Sequence, residues 1–142
     1  VSAGEDLAPW LRLAILLRRD AAKLAAREGG TWTHDGVHTG NISSLGGQVV
    51  YDEGSPDEYQ AAHIAANDPR DTIARCEAEL AILDEHAPVS GYAPYGPVCV
   101  ICCDPGGPGE EAAVVDHPCR TVRLLASGYR HWPGYQAEAW KP

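Results

Sequence analysis

Residues 96–107 read GPVCVICCDPGG, which places three cysteines within five positions of a stretch rich in proline, glycine and valine. How these cysteines are read decides the fold. They lie inside residues 87–116, a run with five prolines, five glycines and no helical or strand periodicity. A loop of about that length is uncommon in a compact domain unless something holds it. Cys99 and Cys102 form a C-x-x-C knuckle. Two thiolates at this spacing can bind one tetrahedral zinc while the intervening amides turn toward the sulfurs.

Two further ligand-type residues flank the loop. His86 closes an acidic helix, where the partial negative charge of the helix end favours a cation. Cys119 falls in the first turn expected of the next helix, where the dipole stabilises a thiolate. The pattern H-x12-C-x2-C-x16-C is therefore a Cys3His set of His86, Cys99, Cys102 and Cys119 that would close the whole Pro/Gly loop around one structural zinc. Iron is the other metal that thiolate-rich tetrahedral sites accept. His117 competes with His86 for the fourth place, Cys103 with its neighbours, and His63 is a candidate for a group behind the ligands. Cys76 lies on an apolar stripe and reads as core. A redox role for Cys99 and Cys102 would want a strand-to-helix turn inside a βαβ unit, and no such pattern surrounds them. Reduced thiols without metal are the plainest alternative.

Outward from the loop, the chain reads as mainly α-helical (α+β), with about four helices and a small β-hairpin in one zinc-stapled domain spanning residues 1–142. Residues 1–30 hold the N-terminal helix, with Leu7, Leu11, Ala14, Leu17, Ala21 and Leu24 as its apolar stripe and Gly29 as its stop. In residues 31–54, TWTHD and QVVYD read as two strands of a hairpin anchored by Trp32, with His34 and His38 as loop histidines. Residues 55–86 hold two helices. Ser55, Pro56 and Glu58 spell a capping box before the first, and Asp68, Pro69 and Asp71 repeat it before the second. The second helix should bury Ile73, Cys76, Leu80 and Leu83. After the metal loop, residues 87–117, a last helix opens with Pro118 at its first position, and an aromatic tail completes residues 118–142.

Composition narrows the function classes. The 142 residues contain no Phe and no Met, so the core rests on Leu, Ile, Val, four Trp and six Tyr, and much of the apolar content is alanine, which buries little area. The net charge of −9 is concentrated in residues 52–86, where ten carboxylates face only Arg70 and Arg75. Nucleic-acid binding needs clustered cations, and this balance argues against it. It suits a solvated face or a basic protein partner. No stretch reaches the roughly 18 apolar residues of a membrane span. No signal peptide is visible, so a cytoplasmic, reducing location is the expectation, where clustered cysteines serve more often as ligands than as disulfides.

Enzyme signatures are missing. There is no G-x-S-x-G, H-E-x-x-H or Walker A pattern. A zinc deaminase would show H-x-E, whereas Pro88 stands two residues after His86. A zinc hydrolase or deaminase-like enzyme with an open metal position is the rival reading, with Glu85 or Asp116 as the carboxylate beside the metal. His63 and Asp68 are close in sequence but read as structural.

HIAANDPRDTIARCEAELAILDEH, then C-x-x-C, then HPCRTVRLLASGYRHWPGYQAEAW resemble the ordered blocks of an uncharacterised family of small actinobacterial and actinophage proteins. The resemblance covers about residues 55–142, and the first helix loosely. It implies that His63, Asp68, Pro69, His86, Cys99, Cys102, Cys119, Tyr135 and Trp140 are family-pattern positions, and it favours His86 over His117. Leu80, near a usual basic residue, the inserted Trp132, and Cys103 depart from that pattern. The family implies a phage or phage-derived accessory protein rather than a housekeeping enzyme. The expected activity is protein–protein interaction through the acidic helices or through a surface around Trp132, Tyr135 and Trp140.

Overall fold

The computed structural model describes residues 6–35, 40–50 and 56–142. The sequence readings for His38, Tyr51, Asp52, Glu53 and Ser55 fall outside the described residues. Among the described residues, four α-helices, a three-stranded antiparallel sheet and two short 3-10 turns make a mixed α+β architecture. The chain divides into two compact units, Leu16–Ala78 and the pair Val1–Ile15 with Glu79–Pro142.

In the unit Leu16–Ala78, helix α1 (Leu7–Ala25) ends in a 3-10 turn, Ala26–Glu28, whose Ala26 carbonyl accepts from the Gly29 amide at 3.0 Å. Gly29 has φ 121°, which side chains resist, and a Cβ there would come 3.1 Å from the Leu45 amide nitrogen. The sheet runs β1 (Thr33–His34), β2 (Ile42–Ser44), β3 (Gly47–Val50), in that order, with Thr33 opposite Ser43 and Ser44 opposite Gly47. The expected two-strand hairpin thus gains a middle strand, and it is Ile42 of that strand, rather than the half-buried Trp32, that is fully buried.

Helix α2 (Glu58–Ala66) begins two residues later than the Ser55/Pro56/Glu58 reading. Asp57 is its cap: its Oδ1 accepts from the Gln60 amide at 2.8 Å, and Gln60 Oε1 accepts from the Asp57 amide at 3.0 Å. Helix α3 (Pro69–Glu85) starts as its sequence spells, with Pro69 first. Asp68 is 6% exposed and uses both oxygens: Oδ1 accepts from the Asp71 amide at 2.8 Å and Oδ2 from the Trp32 amide at 3.2 Å. Arg70 N–H reinforces this join by donating to the Gly30 carbonyl at 3.0 Å. Cys76 is fully buried, as its place on the stripe requires, and Ile73 is half-buried.

In the unit formed by residues 1–15 and 79–142, Leu7, Leu11, Ala14 and Ile15 of α1 are buried with Leu83 of α3. The expected α1 stripe fails at its C-terminal end, where Leu17 is 54% and Leu24 58% exposed while Ala22 is buried. Helix α4 (Arg120–Ser127) starts two residues after Pro118, with Cys119 as its N-cap, and buries Val122 and Ala126. The tail folds back through a ring cluster. Trp10 lies 4.9 Å from Trp140 and 5.7 Å from Tyr135, centroid to centroid, and its Nε1 donates to the Pro133 carbonyl at 3.1 Å. Arg123 fastens the end of the chain, donating from Nε to Pro118 O at 3.0 Å and from Nη1 to Ala139 O at 3.2 Å and Lys141 O at 3.3 Å. Trp140 is 1% exposed, so this tail residue is core and not the surface read from the sequence. No helix among the described residues is long and apolar enough to cross a membrane.

Candidate metal centre

The Pro/Gly loop is held by a small ladder before any ion is considered. Val98 exchanges two 2.9 Å backbone hydrogen bonds with Val89 and bridges on its other side to Asp116. Cys99 N–H donates to Val115 O at 2.9 Å, and His117 N–H donates to Pro97 O at 2.9 Å. A second pair of 2.9 Å bonds joins Asp104 and Ala113. These strand-like contacts bring the knuckle beside the segment that leads into α4.

The knuckle is a 3-10 turn, Val100–Cys102, capped by Cys99. The Cys102 amide donates to the Cys99 carbonyl at 3.1 Å, and the Cys103 amide to Val100 O at 3.1 Å. This turn points both knuckle sulfurs to one side. His86 is presented by the last turn of α3, where its amide still donates to Ile82 O at 3.0 Å. Cys119 is presented at the first turn of α4.

The four side chains converge. The ligand atoms of His86, Cys99, Cys102 and Cys119 all lie within 4.8 Å of one another. His86 Nδ1 is 3.3 Å from Cys99 Sγ, 3.4 Å from Cys102 Sγ and 3.5 Å from Cys119 Sγ. Nitrogen and sulfur at two corners of a zinc tetrahedron are separated by about 3.5 Å, given usual bond lengths of about 2.0–2.1 and 2.3 Å. Three thiols equidistant from one imidazole nitrogen, with two of them fully or nearly fully buried, form a donor set that can hold a metal ion.

Electrostatics separate the three sulfurs. Burial, joined by the neighbouring Cys102 and Cys119 thiols, pushes Cys99 up to about 12 despite the Cys102 amide pulling the other way. Burial also raises Cys102. Cys119 is buried too, yet it moves down, because the Val122 and Thr121 amides at the start of α4 and the two other thiols favour its thiolate. It makes no formal capping hydrogen bond, so these amides act on it as a helix end acts on an anion. A cation at the centre of the group would supply the charge that three clustered thiolates need.

The rival ligands fall elsewhere. Cys103 Sγ donates to the Cys99 carbonyl at 3.2 Å and accepts from the Val115 amide at 3.4 Å, so it braces the knuckle from behind. His117 is half-buried with its pKa lowered, by burial first and by the charge of His86 second. It lines a cavity of about 270 Å³ with Pro9, Leu83 and Pro88, outside the four-donor group. His63 is an exposed residue of α2 whose carbonyl accepts from Asn67 Nδ2 at 2.9 Å, and it too is outside the group. The role of Val98 as the centre of the ladder escaped the sequence reading. A lone valine between two prolines-and-glycine segments carries no strand periodicity, so no signal marked it.

No curated protein and no solved structure matches this chain. A family model described as a family of unknown function (DUF6221) matches residues 4–142. With nearly its whole length matched, the chain belongs to that family of unknown function.

Proposed function

We propose that the protein is a zinc-stapled accessory protein that acts by binding another protein, in a phage or phage-derived setting and in a reducing cytoplasm. The observation that carries the staple is the convergence of His86, Cys99, Cys102 and Cys119 at tetrahedral spacing. Zinc supplies no redox chemistry and imposes little geometric preference of its own, so a Cys3His set at this spacing suits it. Four protein donors leave no position for a substrate or an activated water, which makes the site structural. Neither Glu85 nor Asp116 belongs to the donor group, so neither takes a ligand position there.

The interaction reading is supported by what the staple displays. Val100 and Ile101, between the two knuckle ligands, are 46% and 57% exposed, so the turn fixes apolar side chains outward. The net charge of −9 favours a basic partner. The phage setting rests on the block order of residues 55–142, and the cytoplasm on five cysteines of which none is in a disulfide, as a reducing compartment keeps them.

Elemental analysis and native mass spectrometry of protein purified without a tag or added metal test the staple. One zinc per chain, lost together with the fold under a chelator, is the expected result. A metal-free folded chain, or a metal with an exchangeable water, overturns it. Crosslinking mass spectrometry in the source cells tests the interaction, with intermolecular crosslinks expected on residues 87–117. Isolation of the protein only as a free monomer overturns that half.

A further inference from the structure

The metal loop carries a groove of about 470 Å³, within the roughly 300–1,000 Å³ range of ligand-binding clefts. Its lining includes Tyr92, Val98, Val100, Ala113 and Val114, with Asp104 as its one charged residue. Tyr92, Val100 and Val114 are all exposed. The segment that supplies every wall, residues 87–119, contains four carboxylates (Asp104, Glu110, Glu111 and Asp116) and no Lys or Arg. None of the four is in an ion pair among the described residues. Asp104 Oδ1 accepts from the Gly106 amide at 3.0 Å and Glu110 Oε2 from the Gly107 amide at 3.3 Å, so turns hold both carboxylates in place.

An apolar floor with uncompensated negative charge around it selects one kind of occupant. We infer that the groove receives a short segment of a partner protein in which an aliphatic or aromatic side chain is flanked by Lys or Arg. This rests on the interaction reading above and adds to it the place and the chemistry of the partner. The apolar side chain fills the space between Tyr92, Val100 and Val114, while the cations meet Asp104 and Glu111, the residue before the lining Ala112. A second copy of this chain is the poorer occupant, because a self-contact here brings like charges together. Val100 stands between the ligands Cys99 and Cys102, so metal loading fixes one wall of the groove.

The test displays random peptides to the zinc-loaded full chain and measures the enriched peptides by fluorescence anisotropy. Enriched sequences should place an aliphatic or aromatic residue between Lys or Arg, and their binding should weaken with added salt. Val114→Arg should weaken binding about tenfold and Glu111→Lys about threefold, both with an unchanged melting temperature. Peptides without cations, or binding indifferent to both substitutions, overturn the groove assignment while leaving an interaction elsewhere intact. No enrichment from a chain shown to hold zinc overturns the groove and leaves the staple standing. A concentration-dependent dimer dissociated by Val114→Arg overturns it in favour of a second copy.

Discussion

His86 Nδ1 stands 3.3 Å from Cys99 Sγ, although thirteen positions of a proline- and glycine-rich chain separate the two residues. Nothing in the local backbone of either residue requires that approach. It needs α3 to end at the right turn and the Val89–Val98 pairing to fold the loop back. The approach leaves buried donors whose mutual arrangement is favourable with a cation between them and unfavourable without one.

Removing one donor should therefore cost far more than an ordinary surface change. Cys99→Ser, Cys119→Ser and His86→Ala are each expected to abolish stoichiometric zinc and to lower stability by several kcal/mol, a drop on the order of 10 °C in Tm. Elemental analysis and thermal denaturation read both effects. Retention of one zinc by any two of the three variants would show that the donors are misassigned.

Cys103→Ser and His117→Gln are the matched controls. Serine reproduces the donor and acceptor that Cys103 offers to Cys99 O and Val115 N. Glutamine keeps a polar group near the His117 Nε2, which has no hydrogen-bond partner. Both variants should keep one zinc per chain, with Tm changed by no more than a few degrees.

Asp68→Ala should destabilise by about 2–3 kcal/mol, roughly twice the effect of Asp57→Ala, measured by urea unfolding. Both residues cap helices, but Asp68 is buried and also holds the Trp32 amide, which alanine leaves unsatisfied. Equal costs for the two substitutions would mean that the Trp32 contact contributes nothing.

Gly134 has φ 87°, and a Cβ there would meet Trp10 Nε1 at 3.0 Å. Gly134→Ala is expected to cost about 1–2 kcal/mol, from the positive φ and from displacement of the Trp10–Trp140 stack. Altered tryptophan fluorescence should accompany the lower urea midpoint.

Arg123→Met should free the end of the chain by leaving the carbonyls of Pro118, Ala139 and Lys141 without their shared donor. Amide hydrogen exchange over residues 136–142 should speed up by about tenfold or more, while α3 retains its protection.

The donor set was legible because ligand chemistry leaves a spacing on the chain: C-x-x-C, a helix-ending histidine and a helix-opening cysteine. The Asp68–Pro69 start of α3 was legible because a proline admits few alternatives. The α2 cap was ambiguous, since SPDEYQ contains both S-x-x-E and D-x-x-Q, and only tertiary context selects the second. The α1 stripe had the same weakness. With Leu13, Ile15, Leu16 and Leu17 in succession, several registers satisfy the helical period, and the buried one passes through Ile15 and Ala22. Strand β2 is three residues long, too short for alternation to show.

Of the four donors only Cys99 and Cys102 lie within residues 87–117, and most of the other residues of that loop are exposed. Their side chains add little to the core, so replacing them changes stability by small amounts. Residues on the outside of this loop are free to drift in sequence while the scaffold beneath stays constant. Substitutions there change the surface that the loop presents without changing how the chain folds.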